Sequence, residues 1–169
     1  MSSDTIKVAV NGAAGRMGQR VTALTHSDSE LVLAAALEAS DSPALGRDAG
    51  EIAGIGSIGV PITAELGDHV DVVIDFSMPA GLAKIAEVCG QREIALVAAT
   101  TGLTKEQQAI VDTAAQTAPV VLAPNMSLAV NLTMKLVREA AKILKNVESG
   151  VDVEIIERHH RFKEDAPSG

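Results

Sequence analysis

Aromatic side chains are almost missing from this sequence: Phe76 and Phe162 are the only two in 169 residues, with no Trp and no Tyr. That scarcity removes the stacking platforms on which binding of single-stranded nucleic acid relies. Positive charge is also in short supply. The 14 Lys and Arg face 22 Asp and Glu, for a net charge of −8, and an acidic chain is a poor partner for a phosphate backbone. A single cysteine, Cys89, excludes an internal disulfide and a multi-cysteine zinc site. No apolar run reaches the roughly 18 residues of a membrane span. The first residues lack a basic segment followed by an apolar stretch, so no secretory signal is expected. These absences predict a soluble, cytoplasmic protein with neither nucleic acid nor membrane as a partner.

What the chain has in quantity is Ala, Val, Ile and Leu, within a hydrophobic fraction of 47%. An aliphatic core suits a parallel sheet covered by helices. Strands are predicted over 6–10, 31–37, 70–76, 94–98 and 120–123, and helices over 15–26, 79–89 and 104–117. Pro79 fits the first position of its helix, where its missing N–H costs nothing. Thr104 with Gln107 fits a capping box. Between the second and third predicted strands lies a glycine-rich stretch, 39–61, with Gly46, Gly50, Gly54, Gly56 and Gly59. It reads equally as a mobile flap over a ligand or as a long connection. The alternation predicts an α/β fold, a doubly wound parallel (Rossmann) sheet. The carboxyl ends of its strands, where ligands of such sheets collect, carry Asn11-Gly12, Glu38, Phe76-Ser77-Met78-Pro79, Ala99-Thr100-Thr101-Gly102 and Pro124-Asn125-Met126-Ser127.

The first of these ends is the most informative. Val8-Ala9-Val10 runs into Asn11-Gly12-Ala13-Ala14-Gly15-Arg16-Met17-Gly18, three glycines spaced three apart ahead of a helical pattern. Gly12 permits a sharp turn, Gly15 a close approach of backbone to phosphate, and Gly18 close packing of the helix. The helix N-terminus then faces the anion. Glycine turns are common, and a structural turn or a mononucleotide site would use the same residues. The dinucleotide reading gains from Glu38, at the end of the next apolar run, where an acid accepts hydrogen bonds from ribose hydroxyls.

Beyond Asn125 the pattern changes. Residues 127–146 read as a long amphipathic helix and 151–157 as a strand, the beginning of a second, α+β domain. There follows Glu157-Arg158-His159-His160-Arg161-Phe162-Lys163-Glu164-Asp165-Ala166-Pro167-Ser168-Gly169. Adjacent histidines on an extended strand point to opposite faces, which disfavours a shared metal, and no metal is expected. A solvated charged loop is the plain alternative. The favoured reading is an acid–base and anion site. There a His exchanges a proton near neutral pH and Lys163 supplies charge or a proton.

The opening Val-Asn-Gly-Ala-Ala-Gly-Arg-Met-Gly and the closing His-His-Arg-Phe-Lys-Glu-Asp-Ala-Pro-Ser-Gly resemble the 4-hydroxy-tetrahydrodipicolinate reductase family. Ile-Asp-Phe-Ser, Ala-Thr-Thr-Gly and Pro-Asn-Met-Ser-Leu-Ala-Val-Asn lie between them in the family's order. The resemblance implies hydride transfer from NADH or NADPH to a cyclic dicarboxylate on the diaminopimelate route to lysine. It implies His159 as the acid–base residue, Lys163 as the proton donor, and His160, Ser168 and Gly169 as holders of a substrate carboxylate. Gly12, Ala13, Ala14, Gly15, Arg16, Met17, Glu38, Ala99, Thr100, Thr101, Pro124, Asn125, Met126 and Ser127 would line the dinucleotide. By the same resemblance, 1–126 is the dinucleotide-binding domain and 127–169 the first part of a substrate-binding and oligomerisation domain, which in the full-length family builds a homotetramer.

Ala39 stands where dual-cofactor members often carry an Arg beside the ribose acid. Glu38 would repel a 2′-phosphate, so NADH is the expected cofactor, with Arg16 the remaining cation within reach of that phosphate. Ala99 replaces a usual glycine. Because the family continues past Pro-Ser-Gly, a fragment or truncated product is expected. A non-catalytic dinucleotide-binding module, or a reductase of another amino-acid precursor, is the competing reading.

Overall fold

The computed structural model describes residues 5–156 and residue 158. The chain divides into two compact units, Met1–Ala123 and Pro124–Gly169.

The first unit is built on a six-stranded sheet. Strands β1 (Ile6–Asn11), β2 (Leu31–Leu37), β3 (Ile62–Thr63), β4 (Val72–Asp75), β5 (Ala95–Ala98) and β6 (Val120–Leu122) lie in the order β3-β2-β1-β4-β5-β6. Every neighbouring pair is parallel. The chain first builds outward from β1 to β2 and β3, then returns to the other side of β1 with β4. This reversal opens a crevice at the carboxyl ends of β1 and β4.

Alternation along β1 explains why both faces are covered. Val8 and Val10 point to one side, where they pack with Ala13, Leu33, Ala36, Ala44, Ala49 and Ile62. Ala9 points to the other, into a larger cluster with Val73, Leu82, Ile85, Ala86, Cys89, Leu96, Val111 and Ala114. That second cluster is closed by α3 (Pro79–Arg92) and α4 (Lys105–Ala114). Helix α3 starts on Pro79 and stops where Glu93 turns left-handed (φ 56°), its N–H donating to the carbonyl of Cys89. The predicted capping box opens α4: the Gln107 amide N–H donates to Thr104 Oγ1 (3.2 Å), and the Thr104 N–H to Gln107 Oε1 (2.9 Å).

Two features depart from the expectations. The glycine-rich stretch contains a short helix, α2 (Ala49–Ile52), and leads into the edge strand β3, whose two residues are too few for a periodic signal. Both owe their place to Asp48. Its carboxylate accepts from the amides of Gly50 and Glu51, capping α2, and also from the amides of Ile58 and Gly59 and the Ser57 hydroxyl. With Ala44 and Ala49 buried, this stretch is a packed connection and not a flap.

The other departure is in the second unit. Helix α5 (Leu128–Leu144) is capped by Ser127, and its described residues are all outside the buried class. The strand expected over 151–157 does not form across 151–156. Val151, Val153 and Ile155 have the right alternation, but a strand exists only through its ladder, and none of the described residues pairs with this segment.

Candidate functional site at the carboxyl edge of the sheet

The β1–α1 turn is shaped by what its glycines leave out. Gly12 has φ +81°, and a Cβ there would lie 2.8 Å from the carbonyl oxygen of Phe76 and 3.0 Å from Ser77 Cα. The turn is thus pressed against the chain leaving β4. Gly18, in the first turn of α1 (Arg16–Ser27), sits on the carbonyl of Gly12. A Cβ would fall within contact of that oxygen and 2.7 Å from its carbon.

Hydrogen bonding inside the turn shows which groups remain for a ligand. The amides of Gly12 and Ala13 both donate to Leu37 O (2.9 and 3.0 Å), and that of Gly15 donates to Gly12 O (3.1 Å). The Ala14 amide donates to Glu38 Oε1 at 2.8 Å. The first helical bond runs from Gln19 N to Gly15 O (2.9 Å). The amides of Arg16, Met17 and Gly18 precede it and have no intrahelical acceptor. Arg16 and Met17 are exposed, so an anion would meet two N–H groups at the positive end of α1.

Glu38 lies beside this turn, as expected from its spacing. One carboxylate oxygen holds Ala14, and the other accepts from the Ala39 amide at 3.3 Å. A carboxylate has about four lone-pair positions, so two bonds leave capacity for ribose hydroxyls. The side chain is therefore pre-oriented by the turn it serves.

Across the crevice stands Asp75, the last residue of β4, which is not among the site residues expected from the sequence. It is fully buried, with 0% exposure. Its Oδ1 accepts from Asn11 Nδ2 (2.7 Å) and Ser77 Oγ (2.6 Å), and its Oδ2 from Thr100 Oγ1 (2.6 Å). Thr100, one of the candidate cofactor residues, is thereby tied to the residue before Gly12. The signal was present: an acid directly after Val72-Val73-Ile74 in a two-sided strand must be buried, and a buried acid needs donors.

Pro124, Asn125, Met126 and Ser127 belong to the second unit, where they form the entry to α5. Asn125 Oδ1 accepts from the Ser127 amide (2.8 Å), and Asn131 Nδ2 donates to the carbonyls of Asn125 and Ser127 (2.8 and 2.9 Å). His159, His160, Lys163, Ser168 and Gly169 lie outside the described residues. Among the described residues no cluster of His, Cys, Asp or Glu has the makings of a metal site, and no helix is long and apolar enough to cross a membrane.

The sheet order and the glycine turn at its reversal define a doubly wound, Rossmann-type α/β domain. Residues 6–126 match the family described as dihydrodipicolinate reductase, N-terminus, and residues 129–169 match dihydrodipicolinate reductase, C-terminus. The chain belongs to the dihydrodipicolinate reductase family. It is 49% identical over 167 residues to the 4-hydroxy-tetrahydrodipicolinate reductase of Syntrophotalea carbinolica, covering 97% of this chain and 61% of that protein. The enzyme of the same name from Rhodopirellula baltica is 47% identical, with 99% and 62% covered. Among solved structures, a dipicolinate-bound dihydrodipicolinate reductase from a Paenisporosarcina species superposes with a TM-score of 0.73 at 30% identity, covering 98% of this chain and 62% of that one. The chain thus spans about three-fifths of the length of the curated relatives it matches.

Proposed function

We propose that this chain is the nucleotide-binding part and the start of the substrate-binding part of a 4-hydroxy-tetrahydrodipicolinate reductase, acting in lysine and diaminopimelate biosynthesis. The domains we assign are 1–126 for the dinucleotide and 127–169 for the beginning of the substrate and oligomerisation domain. The observation that carries the reading is Glu38, hydrogen-bonded to the glycine turn at the reversal point of the sheet in a chain of this family.

The residues present fit a dinucleotide. The turn excludes side chains at Gly12 and Gly18, and α1 offers the amides of Arg16 and Met17 to a pyrophosphate. Glu38 would accept from the adenosine ribose, and Ala99, Thr100 and Thr101 would flank the nicotinamide half. A bound NADH supplies a hydride for a cyclic dicarboxylate that has lost water. By resemblance, Pro124, Asn125, Met126 and Ser127 complete the cofactor set. His159 is assigned as the acid–base residue, Lys163 as proton donor, and His160, Ser168 and Gly169 as the carboxylate site. Arg16 is the remaining cation for a 2′-phosphate, and Ala39 adds none beside Glu38, so NADH is preferred over NADPH. We further assign the whole protein to the cytoplasm, as a homotetramer.

Direct titration tests this reading. With no Trp and no Tyr in the chain, the rise in nicotinamide fluorescence on binding is read without protein background. NADH should bind more tightly than NADPH. Glu38→Ala should weaken NADH about tenfold or more, the worth of charge-assisted hydrogen bonds to the ribose, and NADPH much less. Equal losses for the two cofactors would remove Glu38 from the ribose. Consumption of NADH with the condensation product of pyruvate and aspartate semialdehyde tests the reaction itself.

A further inference from the structure

Resting on the dinucleotide reading above, we propose that Asp75 is a positioning residue. Its buried carboxylate sets the spacing between the glycine turn and the loop carrying Ala99, Thr100 and Thr101, and thereby the affinity for the dinucleotide.

Three strand ends meet on this one side chain. Asn11 ends β1, Asp75 itself ends β4, and Thr100 follows β5 by two residues. The backbone ladder continues one step past the strands on either side, with Phe76 N donating to Asn11 O (3.0 Å) and Ala99 N to Asp75 O (3.1 Å). Beyond that step the parallel pairing ends, and side chains carry the connection. Asn11 Nδ2 spends one proton on Asp75 and the other on Ser77 Oγ (3.2 Å), while Ser77 passes its own proton to Asp75. Asn11 precedes Gly12 and Thr100 is itself assigned to the cofactor, while Ser77 lies against Gly12, whose Cβ would fall 3.0 Å from Ser77 Cα.

The cost of this arrangement argues that it does more than fill space. Asp75 is fully buried, and the salt bridges among the described residues join Arg92 to Asp68 and Lys142 to Glu139, not a cation to Asp75. An apolar residue would fill the site without the desolvation penalty of a carboxylate. Here the penalty is offset by three short donors, all drawn from the rim of the crevice. Gly81 in the first turn of α3 serves the same cluster. A Cβ there would lie 2.7 Å from Ser77 Oγ and 3.1 Å from Ser77 Cβ, so glycine leaves Ser77 the room to face Asp75.

The network also predicts which substitution is tolerated. In Asp75→Asn the remaining Oδ1 keeps Asn11 and Ser77. The new Nδ2 then donates to Thr100 Oγ1, whose proton turns to the Ser77 carbonyl, already 3.0 Å away. Asp75→Ala removes the group the three strand ends share, leaving Asn11 and Thr100 with Ser77 alone and no side chain between the loops. Gly81→Ala disturbs the cluster without touching Asp75.

NADH titrations of the full 169-residue chain, each paired with a thermal unfolding curve, decide the matter. Asp75→Asn should bind within about threefold of the unsubstituted chain, whereas Asp75→Ala and Gly81→Ala should bind about tenfold or more weakly. If Asp75→Ala does not fold, Gly81→Ala and the Asn variant carry the test. A folded Ala variant at either position that binds NADH as tightly as the unsubstituted chain overturns the proposal. So does an Asn variant that loses about tenfold or more. Failure of the unsubstituted chain to bind NADH would instead overturn the dinucleotide reading, and this inference with it.

Discussion

Gly18→Ala sets two familiar effects against each other, and the structure decides their order. Within a helix, Ala is favoured over Gly by about 1 kcal/mol, because glycine loses more backbone freedom on folding. On that ground alone the substitution at the third residue of α1 should stabilise. The added methyl, however, would contact the carbonyl oxygen of Gly12 and lie 2.7 Å from its carbon and 2.8 Å from Ala13 Cα. All three are backbone atoms of the turn, held by the bonds from Gly12 and Ala13 to Leu37 O, so none can rotate away. Relief requires α1 to lift from the turn by roughly 1 Å. Overpacking of this kind costs about 1–3 kcal/mol, with rigid backbone neighbours at the upper end. The expected net loss is about 1–2 kcal/mol, read as a lower urea midpoint at unchanged slope by far-ultraviolet circular dichroism. NADH affinity should fall as well, since the Arg16 and Met17 amides move with the helix. Arg20→Ala, on the exposed side of the same helix, should change stability by no more than about 0.5 kcal/mol. A Gly18→Ala chain as stable as the unsubstituted one, or more so, would refute the close approach of helix and turn.

Two further outcomes concern ionisation. Burial acts to raise the Asp48 pKa, but donors from Ile58, Glu51, Gly59 and Ser57 outweigh it and hold the carboxyl at about 2 against an ordinary 3.8. Because the folded value is the lower one, the stabilisation is present above about pH 4 and is lost as pH falls through 2. The Gly59 amide signal in a nitrogen–proton correlation spectrum should therefore titrate near 2, and a midpoint near 4 would detach Asp48 from that loop. Burial pushes the Cys89 thiol up to about 11, against a smaller lowering by Arg92. The folded chain should resist alkylation at pH 8 and react fully once unfolded in guanidinium; rapid labelling of the native chain would contradict the packing of α3 on the sheet.

The sheet was legible because a parallel strand covered on both sides must be apolar throughout. Val8-Ala9-Val10 and Val72-Val73-Ile74 announce that directly, and each is followed by a recognisable helix start. Strand β3 was not legible, since two residues carry no period and its place depends on Asp48 gathering amides up to eleven positions away. Across 151–156 the expected strand fails for the opposite reason. Its alternation is a pattern for one face of a sheet, but the ladder that would make it a strand is a property of a partner.

For the site, glycine spacing speaks of space and says nothing of which amides are already used. The amides of Gly12, Ala13, Ala14 and Gly15 are all spent within the chain. The turn is therefore a rigid support, and the amides left for the proposed anion are the next two along, of Arg16 and Met17. Glu38 was singled out by its distance in sequence and is proposed as an acid for the ribose, but its bond to Ala14 makes it part of that support too. Removing its carboxylate would take away the ribose acceptor and loosen the turn in one step. A loosened turn weakens NADH and NADPH alike, whereas a lost ribose acceptor weakens NADH alone. The ratio of the two losses in Glu38→Ala thus separates the carboxylate's contact with the ligand from its hold on the backbone.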